Sequence, residues 1–363
     1  MKISSPVSGT QRIMAAVVGL MATCFAAGAM ASTAWHVEGE PAVVEQQVSF
    51  QDAGAQLHGT LYLPARGNHL PALVVLHAAE APTRDYGLYR HLERASQVLG
   101  FAVLVFDRRG SGASTGTLHN TDYDQLADDG IAGLHAIAHN PRIDPHRIGF
   151  WGLSQGGWLA VLAASRTRDA AFAISVSAPM VTPAEQMQFA VDNLLALHGY
   201  GADAKKQASD ARNVWQAWLR GHGSRAGAVH ALEAVEHKPW FNQTFMPTAE
   251  QLPTDRMQSS WRKEMDLDPM RTAEGARVPL LFIYGGDDPW VPVARSVQAL
   301  KKLQQQRDDV EIHVIAKANH SMQFPVHENM AFDKATLLAE HPEAPAYFFV
   351  LGSWLRRFAT PLH

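Results

Sequence analysis

The chain has 363 residues, with 31 Lys and Arg against 35 Asp and Glu and a formal net charge of −4. This mildly acidic balance, without a basic run, excludes nucleic acid as an expected partner. The single cysteine, Cys24, excludes a disulfide framework, and a chain of this length buries a large core without one.

The first 31 residues have the form of an export signal. Lys2 and Arg12 supply the positive region, Ile13 to Ala31 is apolar and free of acids, and Ala29-Met30-Ala31 fits the small-x-small cleavage rule. A retained membrane anchor is the alternative, since the apolar stretch is near the ~20 residues that span a bilayer. Cleavage removes Lys2, Arg12 and Cys24 and takes the formal charge from −4 to −6. The expectation is a periplasmic or secreted protein of roughly 330 residues with no stable membrane span. No sequence pattern specifies its oligomeric state.

Val43 to Pro64 predicts an edge hairpin, with Val44, Gln46, Val48 and Phe50 on one strand and Leu57, Gly59, Leu61 and Leu63 on its return. Asp52-Ala53-Gly54 supplies the turn. Pro71 to His77 then predicts a buried strand. Tyr86 to Leu99 predicts a helix with Leu88, Leu92, Ala95 and Leu99 on one face. Phe101 to Phe106 is a strand, and Asp122 to His139 a helix entered from Thr121. Further strands are predicted at Arg147 to Trp151, Ala171 to Val176, Val278 to Tyr284 and Val310 to Ile315, and a last helix from about Ala346 to Phe358. Short apolar strands separated by helices imply an α/β fold with a mostly parallel, doubly wound sheet covered on both faces.

The alternation stops between about Pro179 and Glu274. That stretch is helical and amphipathic in parts (Glu185 to His198; Ala202 to Leu219) and holds Trp215, Trp218, Trp240 and Trp261 of the nine tryptophans. It predicts a helical cap over the carboxyl end of the sheet, whose tryptophans would floor an apolar acyl or aromatic pocket. The expected organisation is a signal peptide over 1–31, a catalytic domain over 32–178 and 275–363, and a cap insertion over 179–274.

Gly152-Leu153-Ser154-Gln155-Gly156 lies between an apolar run and a helix-like run from Gly157 to Ala164. A strand, a sharp turn and a helix lift the serine out of the sheet, where a base can reach it. The Gln155 amide, at the helix start, points to where an oxyanion would form. Asp287 and Asp288 follow a predicted strand, and His320 follows the next. Parallel strands put all of them on one rim, in the chain order Ser, Asp, His. Ser154 would attack a carbonyl carbon. His320 would take its proton and pass it to the leaving group, and an aspartate would orient the imidazole. Asp287 and Asp288 compete for that role; the offset from Val291-Pro292 selects Asp288, leaving Asp287 to cap the loop or contact water. The second oxyanion amide belongs to the loop after His77, where Ala78 and Ala79 are both small, and is assigned to Ala79. This chemistry needs no metal and no organic cofactor. His135 and His139 stand one helical turn apart but lack the glutamate of a zinc-protease motif, and are read as a surface or boundary pair. The glycine spacing of Asp107 to Gly116 is not that of a dinucleotide fingerprint. It is read as a rim loop with Arg108 or Arg109 in structural ion pairs.

These motifs resemble the α/β-hydrolase family, especially exported bacterial esterase-like members related to dienelactone hydrolases, acyl-thioester hydrolases and serine aminopeptidase-type lipases. The resemblance is carried by Gly59 to Pro64, Asp107 to Gly116, Gly152 to Trp158, Gly286-Asp287-Asp288 and Asn319-His320. It implies an α/β-hydrolase fold and a serine hydrolase that cleaves a small carboxylic ester or thioester through an acyl-enzyme. One departure is His77-Ala78, where the family usually has His-Gly; a methyl there restricts positive φ. A peptidase or amidase acting on small peptides, and a non-catalytic binding protein on the same fold, are the rival readings. No acidic cluster for an amino terminus is evident in the sequence, and all three triad members are present.

Overall fold

The protein is described from a computed structural model over residues 43–79, 83–118, 121–324 and 344–359. The expected signal segment lies outside the described residues. Alternation in the first hairpin produces β1 (Val44–Asp52) and β2 (Ala55–Leu63), paired antiparallel along their full length. β2 turns Leu57, Leu61 and Leu63 into the core. The apolar runs that follow become β3 (Leu70–Leu76) and β4 (Ala102–Phe106), buried at every position. Between them a short 3-10 turn, Gly87–Tyr89, precedes helix α1 (Arg90–Leu99). The sequence pattern merges these two into one helix, because Leu88 and Leu92 are both buried, as a helical stripe would be. Helix α2 (Tyr123–Ala138) is capped by the Asp122 side chain, which accepts from the Gln125 amide. The expected start at Asp122, entered from Thr121, is therefore one residue early.

β5 (Ile143–Leu153) begins four residues before the sequence pattern places it. Ile143 pairs with Leu70 and Ile148 with Ala72, with a register shift between. Asp144-Pro145-His146 reads as a turn in sequence and is accommodated in that irregularity. Helix α3 (Gln155–Arg166) packs on the sheet, β6 (Ala173–Val176) follows, and β7 (Leu280–Gly285) and β8 (Val310–Ile315) complete it. The helices between β6 and β7 belong to an insertion and its exit, α9 (Val293–Gln304) joins β7 to β8, and α10 (Pro345–Leu355) comes last.

The eight strands lie in the order β1-β2-β4-β3-β5-β6-β7-β8. β1, β2 and β4 pair antiparallel, and all pairings from β4 through β3 to β8 are parallel. β4 lies on one side of β3 and β5 on the other, so the chain reverses its direction of travel across the sheet at β3. A crevice opens at the carboxyl ends of the strands at such a point.

The insertion consists of α4 (Pro183–Leu197), α5 (Ala202–Leu219), α6 (Arg225–Glu233), α7 (Ser260–Glu264) and α8 (Pro269–Gly275). α4 starts at a capping box, with Thr182 and Glu185 each bonding the other's backbone amide and Pro183 in the first turn. Val191, Leu195, Trp215, Trp218, Leu219, Leu232 and Trp240 form a core within the insertion, separate from the main one. No helix of the described residues is long and apolar enough to cross a membrane.

Candidate active site

Four strand ends supply the site: β3 leads to His77, β5 to Ser154, β7 to Asp288 and β8 to His320. Ser154 sits at φ 55, ψ −121, a conformation that L residues rarely adopt. Its backbone bonds hold it there: its own amide donates to the Val176 carbonyl at 2.8 Å, and its carbonyl accepts from the Gly157 and Trp158 amides at 2.9 and 3.4 Å. The flanking glycines are steric requirements. A Cβ at Gly152 would lie 1.9 Å from the Gly156 carbonyl oxygen, and one at Gly156 would lie 2.1 Å from that of Leu76.

Asp288 is the aspartate that reaches the imidazole. Its Oδ2 accepts from His320 Nδ1 at 2.8 Å, and its Oδ1 accepts from the Trp290 and Val291 amides at 2.8 and 3.2 Å. The Asp288 side chain is 0% exposed and that of His320 15%. Asp287 is exposed, and its amide donates to the Ala318 carbonyl at 3.0 Å. The loop that carries His320 is fastened by Asn319. Its Oδ1 accepts from the Ser321 and Gln323 amides, each at 2.9 Å, and its Nδ2 donates to Gln323 Oε1 at 3.0 Å. With Nδ1 committed to a carboxylate, the proton on the ring belongs there and Nε2 is the basic nitrogen.

Ser154 and His320 line the same cavity, of about 320 Å³, together with Ala79 and Gln155. The Ser154 hydroxyl makes no hydrogen bond among the described residues. Catalytic contacts of this kind commonly tighten only with substrate bound. Gln155 opens α3, so its amide has no intrahelical acceptor. In the loop after β3, the Ala78 amide donates to the Tyr89 hydroxyl at 3.0 Å. Ala79 forms no such bond among the described residues and faces the cavity. Ala78 is not among the residues of positive φ, so its methyl is accommodated without strain. His77 points away from the site, with Nε2 on the Phe106 carbonyl and its ring edge-to-face with Tyr89 at 5.1 Å.

The cavity wall is mostly apolar. Trp158 and Trp290 come from the sheet side; Met187, Phe245 and Trp261 come from the insertion. The expectation that the insertion's tryptophans floor the pocket therefore holds for Trp261 only. Trp215, Trp218 and Trp240 are buried in the insertion's own core. A helical insertion of this size needs that core before it can line anything else.

Glu264, at the end of α7, is the one acid lining the cavity among the described residues. Burial pushes its carboxyl up to about 7, against the pull of Arg108. Tyr123 lines the same cavity; its hydroxyl accepts from Gln155 Nε2 at 3.3 Å, and burial raises its phenol above the ordinary tyrosine value. Sequence reasoning missed Glu264, Tyr123 and Trp290. Trp290, two residues past Asp288, carried a positional signal. Glu264 carried none, because α7 is only five residues long.

The rim loop separates its two arginines. Arg109 pairs with Asp129 at 2.5 Å and with Asp52 at 3.1 Å. Arg108 makes no ion pair among the described residues and turns toward the site. His135 bonds Asp169 at 2.9 Å on the surface, and His139 bonds the His135 carbonyl at 2.7 Å.

A family model described as serine aminopeptidase, S33, matches residues 72–325, from within β3 to just past His320. Among characterised proteins the chain is similar to the polyketide transferase claH of Penicillium crustosum, 29% identical over 157 residues, 41% of this chain and 49% of that protein. It is also similar to the thiohydrolase aneE of Aspergillus aculeatus, 27% identical over 202 residues, 53% of this chain and 61% of that protein. The alignments thus span 49% and 61% of those relatives' lengths, less than two thirds of either. An esterase of Pyrococcus furiosus has the same fold, with a TM-score of 0.54 at 16% identity, covering 88% of this chain and 92% of that one. Because the family match runs through well over half of the chain and takes in every parallel strand from β3 to β8, this protein belongs to the serine aminopeptidase, S33, family of α/β-hydrolases.

Proposed function

We propose that the protein is a serine hydrolase that cleaves small carboxylic esters or thioesters through an acyl-enzyme. Ser154 Oγ attacks the carbonyl carbon as His320 Nε2 takes its proton. The tetrahedral oxyanion is received by the Gln155 and Ala79 amides. The imidazolium, stabilised by Asp288, protonates the leaving alcohol or thiol, and water then releases the acid by the same route. The observation that carries this reading is the buried Asp288–His320 bond facing a cavity that also exposes a strained Ser154. The mostly apolar wall suits an acyl chain, and the thiohydrolase named among the relatives supports a thioester as one substrate form. In this reading residues 179–274 are a cap that closes the pocket and the protein works outside the cytoplasm. Ser154→Ala is expected to lower turnover of a p-nitrophenyl ester by about 10⁴-fold or more, with an unchanged melting temperature. Wild-type turnover in that variant would remove Ser154 from the reaction.

A second reading, a peptidase acting on small peptides, draws on one observation: a carboxyl, Glu264, faces the cavity from the insertion. Paired assays on an ester and an aminoacyl amide of the same acyl group separate the two. The ester reading expects the ester to be preferred and Glu264→Gln to leave that preference in place.

A further inference from the structure

The loop carrying Ala79 and the turn carrying Ser154 follow different strands, and one side chain joins them. Arg108 is buried, at 6% exposure. Its Nη2 donates to Gln155 Oε1 at 2.6 Å, and its Nη1 to the Ala78 carbonyl at 3.4 Å. No carboxylate lies within ion-pair distance of it among the described residues, whereas the neighbouring Arg109 takes two. Burying a guanidinium without a close counter-ion is costly, and burial holds its pKa below the usual arginine range. Its two partners are neutral oxygens, and each belongs to a segment that offers an amide to the site.

The Ala78 carbonyl and the Ala79 N–H are the two ends of one planar trans peptide unit, so they point in opposite directions. Holding the oxygen sets the direction of the N–H. The Gln155 side chain gives the second hold, on the residue whose own amide opens α3. A positive charge behind both peptides also strengthens their dipoles toward a developing negative charge.

We propose that Arg108 is a positioning residue for the oxyanion hole, fixing the 78–79 peptide and Gln155 in the orientation that receives the tetrahedral oxyanion. The proposal rests on the hydrolase reading above. It also gives a physical role to the departure at position 78: the guanidinium, rather than a glycine, sets the loop's geometry.

The test compares wild type, Arg108→Met and Arg108→Lys for ester kinetics and for inhibition by a trifluoromethyl ketone, which forms an oxyanion adduct. The matching secondary alcohol, which forms none, is the control. With full loss of one donor worth roughly 10²–10³, kcat of Arg108→Met should fall about 10–100-fold with KM within about threefold. Affinity for the ketone should fall in parallel and affinity for the alcohol should hold. Lysine cannot span both oxygens and should recover only part of the rate. If Arg108→Met does not fold, Gln155→Met decides, since it removes the Oε1 acceptor and keeps every backbone group; the same parallel fall is expected. Unchanged kcat, or equal losses of ketone and alcohol, would overturn the proposal. A fluorophosphonate separates the levels. An unlabelled wild type sinks the hydrolase reading itself, whereas a labelled wild type with fully active variants sinks only the role of Arg108.

Discussion

Asp287 and Asp288 are identical side chains one residue apart in opposite environments. Asp288 is buried and spends both oxygens on the Trp290 and Val291 amides and on His320, while Asp287 faces solvent. Asp288→Asn should leave the fold intact but offer Nδ2 where the imidazole needs an acceptor, favouring the wrong tautomer. Steady-state assays should then show kcat lower by roughly 10³–10⁴-fold. Asp287→Asn, a surface change, should stay within about twofold. Equal losses in the two variants would contradict the assigned geometry. Ser154, the Asp287–Asp288 pair and His320 were legible in the sequence because each follows an apolar strand, and parallel strands deliver their ends to one rim. Which aspartate turns inward depends on the chain path over the next three residues, and only the offset from Val291-Pro292 hinted at it. The sequence offers Arg108 or Arg109 for structural ion pairs, because it does not show which of two adjacent arginines faces a carboxylate.

At the scale of elements, the turn between β5 and α3 is tightly constrained. α3 approaches β3 so closely that Gly156 leaves no room for a side chain against the Leu76 carbonyl. Gly156→Ala must push α3 off the sheet, costing about 1–3 kcal/mol in a denaturant titration and displacing the Gln155 amide, so ester turnover should fall with it. A variant of full stability and activity would show that the turn is looser than described. The strands could be read from their apolar runs, but the start of β5 could not, since Asp144-Pro145 looks like a turn and the pairing that extends the strand lies across the sheet at Leu70. Two of the insertion's helices, α4 and α5, were legible from their amphipathic pattern, whereas α6, α7 and α8 are too short to show one. Their inward faces were not assigned correctly, because the pattern shows that a face is buried and not whether it meets the cavity or the insertion's own core.

For the whole molecule, Glu264 of the insertion and Tyr123 of α2 line one cavity beside the site. Arg108, Asp122 and Lys263 are the charged groups that act on Glu264. Its folded pKa of about 7 lies above the ordinary 4.5. The folded state therefore holds a proton that the unfolded chain has released, and stability falls as pH rises through that window, then levels above it. Glu264→Gln should remove this component. Its melting temperature should gain on wild type between pH 5 and pH 7.5, approximate bounds set by this window; parallel curves would contradict it. The measurement that tests the central claim most directly is intact-protein and peptide mass spectrometry after exposure to a fluorophosphonate. The account predicts a single adduct on the peptide containing Ser154, lost in Ser154→Ala and slowed in His320→Ala. A folded wild type left unmodified, or an adduct on another residue, would contradict it.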